Sequence, residues 1–227
     1  MATRVTQSKP AIAGAEQTRL ALIRAGLSHF GRFGFEGATT RDIAAEAGAN
    51  IGSIAYHFGG KEGLLLACAR HIVDTLRELA GPAFAEAANP RTLAPDQAQA
   101  VLESVVLRMT NFVVARPEAG EFVTFVLREL NRPTSAFDTV YSGAFEPVHI
   151  RLCALWAAAT GDAPESEATK LGVFTMIGQV VYFRIGREAV LRRMDWPSIG
   201  DREAGRIADV ALGNLRSMVA ARREGSL

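Results

Sequence analysis

ATTRDIAAEAGANIGSIAYHFGGKEGLL, residues 38–65, is the stretch on which the reading of this chain turns. Thr39-x-x-Asp42 is a capping-box-like start, in which the threonine hydroxyl accepts from the first turn of a helix spanning Thr40 to Ala47. Gly48 can take the left-handed conformation that ends it. Asn50 is a good cap for a second short helix, Ile51 to His57, and the glycines and lysine at 59–61 stop that one. The second helix carries almost no charge, whereas a solvated surface helix ordinarily carries Lys, Glu or Arg. Ile54 and Phe58 already supply its packing face, which leaves Tyr56 and His57 for another surface.

Working outward from this stretch, residues 1–14 are polar and basic and read as a flexible leader. From Glu16 a helical stripe appears at Leu20, Ile23, Leu27, Phe30 and Phe33, and glycines around 31–38 end it. On the other side a long helix runs from Lys61 to about Ala80, followed by a proline- and alanine-rich stretch, 81–96, that reads as a loop or frayed end. Further helices are expected at about 95–115, 117–130, 135–160, 166–193 and 201–223, each bounded by Pro, Gly or a capping side chain. No β-hairpin signal, repeat or low-complexity segment is found. The expected fold class is therefore all-α: leader 1–14, a three-helix helix-turn-helix domain at 15–60, a connector helix at 61–80, and a second helical domain at 81–227.

Composition narrows the function. The chain has 227 residues, 48% apolar and 22% charged, and 25 Lys+Arg against 24 Asp+Glu give a formal charge of +1. That balance excludes a globally basic nucleic-acid binder and leaves only local arrangements of charge. Cys68 and Cys153 have no partner motif and form no disulfide framework, and the N-terminal residues do not resemble a signal peptide. A reducing, cytoplasmic location is the expectation. The most apolar stretches noted, 152–161 and 174–186, fall short of the roughly 20 residues a membrane span needs, and Arg184 interrupts the second.

Two short helices joined by a glycine-bearing turn, with an amphipathic helix before them, make a helix-turn-helix. Such a motif lays its second helix in the DNA major groove with small or flat side chains leading. Ile51, Gly52 and Ser53 meet that requirement. Thr40 at the start of one helix, Tyr56 and His57 at the end of the next, and Lys61 at the start of the following one are placed to hold phosphates.

The segment also resembles the DNA-binding region of the tetracycline-repressor (TetR) family, whose pattern is Thr-x-x-x-Ile-Ala-x-x-Ala-Gly, a short recognition helix, then Tyr-x-Phe-x-x-Lys-x-x-Leu. The resemblance covers about residues 16–66 without a gap. It implies that Thr40, Tyr56, His57 and Lys61 hold the DNA backbone while Arg41, Ile51 and Ser53 face bases, with Asn50, Gly52 and Ala55 on the same element. Ala55 stands where many members have the first of two tyrosines, so one phosphate or thymine-methyl contact is missing. Residues 128–138 and 178–196 are similar to the CecR-like branch of that family, which implies an all-helical ligand-sensing and dimerisation domain and targets among efflux or transport genes.

Other candidates are weaker. Cys68 and His71 share one helix face as a metal sensor would require, yet no third ligand has recognisable spacing. Cys153 or Ser142 with His149 could form a nucleophile pair, but no elbow glycine, oxyanion turn or orienting carboxylate accompanies them, and an enzyme is disfavoured. Arg128, Glu129, His149, Gln179, Tyr182 and Arg184 are polar groups within apolar helices, explained either by internal salt bridges or by a ligand cavity. Arg128, His149, Gln179 and Tyr182 are the expected ligand contacts, for a mainly apolar effector with one acceptor or negative group. Leu171, Phe174, Ile177, Val181 and Ile185, with Ile207, Val210, Asn214, Leu215 and Met218, form two stripes that could pair with a second copy. The expectation is thus a homodimeric regulator of transcription, binding double-stranded operator DNA and a small-molecule effector, with no metal, cofactor or membrane. A ligand-independent architectural DNA binder is the alternative.

Overall fold

The computed structural model describes residues 9–87 and 89–225, with side chains at 14–85, 87 and 89–225. Every element among them is helical: α1 (Lys9–Gly37), α2 (Thr40–Glu46), α3 (Gly52–Phe58), α4 (Lys61–Glu86), α5 (Pro95–Thr110), α6 (Glu118–Asn131), α7 (Ser135–Val140), α8 (Glu146–Thr160), α9 (Glu167–Ile185), α10 (Arg187–Met194) and α11 (Asp201–Arg223). A 3₁₀ turn occupies Pro90–Thr92, and π-helical turns at Asn111–Ala115 and Tyr141–Phe145 continue α5 and join α7 to α8. The chain forms two compact units, one of residues up to Ile72 with Thr124–Thr139, the other of Val73–Val123 with the residues from Val140 onward.

In the first unit α1 buries Leu22, Ile23, Leu27 and Phe30, and Ile43, Ile54, Leu64 and Leu65 are equally buried. Helix α1 begins earlier than the apolar period indicated, so Lys9–Gly14, expected in the leader, are helical, while residues 1–8 of that leader lie outside the described residues. At Gly34 the backbone takes φ 74°, a region open to glycine, and the helix bends. The bend leaves helix-end carbonyls short of partners. Arg128 of α6 meets them, its guanidinium donating to the carbonyls of Arg32 at 3.3 Å and Phe33 at 3.2 Å. A Cβ at position 34 would collide with that guanidinium. Replacing Arg128 with methionine, which keeps the stem and removes the donors, is expected to destabilise this unit by about 1–3 kcal/mol. Loss of amide-exchange protection confined to α1 and α6 is the observation to make.

In the second unit α5 packs against α8, α9 and α11. Leu102, Leu155, Trp156, Val173, Met176, Val180 and Leu215 fill the core between them. Among the described residues Pro95–Ala115 is the helix long and apolar enough to cross a membrane by length and composition. It is a different segment from the two apolar stretches noted in the sequence, and its apolarity has a core to serve, since Val101, Leu102, Val105 and Val106 are buried. The helix expected over 166–193 is two helices. Gly186, with φ −87° and ψ 18°, falls out of the helical basin, and α10 restarts at Arg187. The stretch expected to be a loop at 81–96 is partly ordered: α4 continues through Pro82 to Glu86, and the Asn89 side chain accepts from the Arg91 amide at 3.2 Å to cap the 3₁₀ turn.

Candidate nucleic-acid interface and core cavity

Helix α2 starts where its cap demands: Thr39 Oγ1 accepts from the Asp42 amide at 3.1 Å and donates to its carboxylate at 2.6 Å. Gly48, at φ 62°, turns the chain out of the helix. Asn50 Oδ1 then accepts from the Gly52 amide at 2.8 Å, so α3 begins one residue later than Ile51, with Ile51 in the turn. Gly59 and Gly60, at φ 75° and 135°, end it. A Cβ on Gly63 would run into the Phe58 carbonyl, so a glycine there lets α4 start tight against the end of α3.

The faces of α3 are sharply divided. Ile54 is buried, whereas Tyr56 is 83% and Ile51 51% exposed. Gly52 and Ala55 are exposed beside them, at positions one turn apart. Arg41 is exposed on α2, while Thr40, Ser53, His57 and Lys61 are half-buried. The His57 ring meets Tyr56 edge-on at 4.9 Å, and Lys61 Nζ lies 4.6 Å over the Phe35 ring. These contacts hold the His57 ring and the Lys61 ammonium near the helix ends. His29 Nε2 pairs with Glu46 at 2.9 Å, fastening α2 to α1. What results is a protruding, nearly uncharged helix with hydroxyls and cations at its margins, the arrangement that admits base edges at the centre and phosphates at the rim.

The four expected ligand contacts separate. Arg128 is tied to α1 in the first unit, and its charge is spent on helix-end carbonyls. Gln179 Oε1 accepts from Asn214 Nδ2 at 2.9 Å, bridging α9 and α11, while its Nε2 is buried without a hydrogen-bond partner among the described residues. Tyr182 is 59% exposed. His149 alone of the four borders a cavity of about 120 Å³ in the second unit, lined by Leu76, Leu79, Ala80, Val105, Met109, Ala144, Phe145, Val148, Leu152 and Ile177. A wider groove of about 450 Å³ adjoins it through Ala80 and Val148 and includes Arg77 and Arg151. Arg77 Nε donates to the Gly143 carbonyl at 3.0 Å, and Arg151 donates to the carbonyls of Phe84 and Ala87. The sequence could not distinguish His149 from the other three, because its distinction is a place on the cavity lining created by the packing of α4, α5, α8 and α9.

Neither weaker candidate gains support. Cys68 is buried with its thiol donating to the Ile23 carbonyl at 3.4 Å, and burial pushes its pKa far up. No group of three His, Cys, Asp or Glu among the described residues could hold a metal ion. Cys153 is buried 3.6 Å from His149 Nδ1, and desolvation raises its pKa, so the thiol is no activated nucleophile.

Fold and site together define a helix-turn-helix DNA-binding protein with a separate helical unit. Residues 22–68 match the family model described as bacterial regulatory proteins, tetR family, and residues 98–222 match the C-terminal domain of the HTH-type transcriptional dual regulator CecR. The chain is 35% identical over 191 residues to the HTH-type transcriptional dual regulator CecR of Shigella flexneri, covering 83% of this chain and 85% of that one. It therefore belongs to the TetR family of transcriptional regulators, with a CecR-type C-terminal domain, and is not an enzyme. It is also 29% identical over 160 residues to the regulator BetI of Burkholderia thailandensis, covering 70% and 77% of the two chains. The same fold is seen in a putative transcriptional regulator from Pseudomonas aeruginosa PAO1, with a TM-score of 0.63 at 18% identity over 92% of this chain and 94% of that one. It is seen again in AibR, solved in complex with isovaleryl coenzyme A and operator DNA, with a TM-score of 0.59 at 15% identity over 86% and 96%.

Proposed function

We propose that this chain works as a homodimeric repressor in the cytoplasm, that a small molecule entering the second unit releases it from DNA, and that it governs transport or efflux genes, as the resemblance to the CecR-like branch implies. The observation that carries the DNA half is α3, which turns an exposed face without charge to solvent and buries Ile54 behind it. The dimer half rests on large apolar side chains left bare on two helices of the second unit. Leu171, Phe174, Tyr182 and Ile185 on α9 are 54–60% exposed at helical spacing, and Val210 on α11 is 60% exposed. An apolar stripe of this size marks a surface that another chain covers. The stripe keeps Leu171, Phe174, Ile185 and Val210 of the expected one and loses Ile207 and Leu215 to the core and Ile177 to the cavity. Ligand release draws support from the cavity and from AibR, a protein of the same fold solved with both a ligand and DNA. A ligand favouring a state with the two α3 helices at the wrong separation lowers DNA affinity by its differential binding free energy, and DNA weakens the ligand equally. A ligand-independent architectural binder would have no use for such a cavity.

Positioning and reading are separable by mutation. Lys61→Ala should weaken operator and random DNA alike and lower the salt slope by about one counterion. Ser53→Ala and Arg41→Ala should cost on the order of 1–3 kcal/mol on the operator and much less on random sequence. Titrations against operator and scrambled duplexes at two salt concentrations make the comparison. Unchanged operator-to-random ratios in the Ser53 and Arg41 variants would show that these residues do not read sequence.

A further inference from the structure

His149 presents an unusual combination. It borders an otherwise apolar cavity, and its Nε2 is buried without a hydrogen-bond partner among the described residues. A buried polar atom left unsatisfied is costly, and native structures keep one for a reason. Water is a poor answer here, because an ordered water needs two to four polar partners and the rest of the lining, including Leu79, Val105, Met109, Leu152 and Ile177, offers apolar side chains. The ring is also held in place: it lies against Phe174 with centroids 4.1 Å apart, and Cys153 Sγ is 3.6 Å from its Nδ1. In the tautomer in which the Cys153 S–H donates to Nδ1, the imidazole proton lies on Nε2 and makes that atom a donor.

We infer that the cavity takes a compact, uncharged, ring-sized apolar group carrying one hydrogen-bond acceptor, and that His149 Nε2–H is the donor that recognises it. The size argument is direct. A protein cavity of roughly 150 Å³ lined by apolar side chains binds benzene, and this one measures about 120 Å³ and shares Ala80 and Val148 with the adjoining groove. A ring with a small substituent fits, and a larger molecule can place such a ring here with the remainder in the groove. A fixed carboxylate is disfavoured at this point, because no cation lines the cavity itself and its desolvation would go uncompensated. The inference rests on the ligand-responsive reading above and specifies the chemistry of that site.

The test uses the full-length protein and two probes of nearly identical shape, benzonitrile and phenylacetylene, of which the first has a strong acceptor at its tip. Benzonitrile should bind about threefold to tenfold more tightly, the net worth of one neutral hydrogen bond. Its nitrile stretch should shift on binding as it does on accepting a hydrogen bond, and the Nε2 resonance of His149 should move with it. His149→Phe keeps the stacking on Phe174 and should equalise the two probes, while His149→Gln, which restores a donor, should recover the preference. Equal affinities in the unmodified protein, an unshifted nitrile stretch, or failure of both probes to bind would overturn the inference. Operator release is read in parallel. Benzonitrile binding that depends on His149 yet leaves DNA affinity unchanged would uphold this ligand class and count against ligand release.

Discussion

Aspartate at both Phe174 and Val210 is expected to give a folded monomer that has lost its operator. The two side chains are 60% exposed, so charging them takes from the monomer only the stack of Phe174 on His149 and should cost its stability no more than about 1.5 kcal/mol. In a dimer they would face the same side chains of a second copy, and four carboxylates in a desolvated seam cannot be accommodated. Two half-sites bound by tethered partners gain on the order of 10²–10⁴ in affinity over one, and the variant forfeits that factor. Sedimentation at micromolar concentration and operator titration are the paired measurements. A double variant that still sediments as a dimer would move the interface away from α9 and α11.

The second large effect concerns one hydrogen atom. Gly63→Ala would drive a methyl group into the Phe58 carbonyl, and neither backbone can yield without moving the start of α4 off the end of α3. Overpacking against backbone of this kind is expected to cost about 2–4 kcal/mol, and a melting point lower by roughly 5–15 °C. DNA affinity should fall as well, because Lys61 sits two residues before the displaced position. The same substitution at Gly205, in α11 with open space around its would-be Cβ, should instead stabilise the protein by about 0.5–1 kcal/mol. Thermal melts of the two variants side by side decide the matter, and equal melting points would show that the close approach at Gly63 is not required.

The first unit was legible because its signals are local. Thr39, Gly48 and Gly59 act on backbone groups within a few residues of themselves and serve as their types and spacing indicate, while Asn50 accepts from the Gly52 amide with α3 starting one residue later than expected. Elsewhere the deciding contacts span long stretches of chain. Arg128 looks like a buried polar residue available to a ligand until the carbonyls of Arg32 and Phe33, freed by the bend at Gly34, are found to accept from it. The period through 166–193 is helical on both sides of Gly186, and a single glycine in such a pattern gives no sign of whether it bends the chain or rides along. The expected pairing stripe included core residues for a related reason. Apolar residues surround much of α9 and α11, and periodicity alone cannot say which of two apolar faces, such as Leu215 or Val210, turns inward.

The division of α3 into a buried side and a bare side bears on how a lineage of such proteins diversifies. Ile54 and its neighbours in the first unit's core are constrained by packing, whereas Ile51, Ala55 and Tyr56 contribute little to folding and can change at small cost in stability. After gene duplication, one copy can therefore wander through new side chains at these positions without passing through an unfolded intermediate.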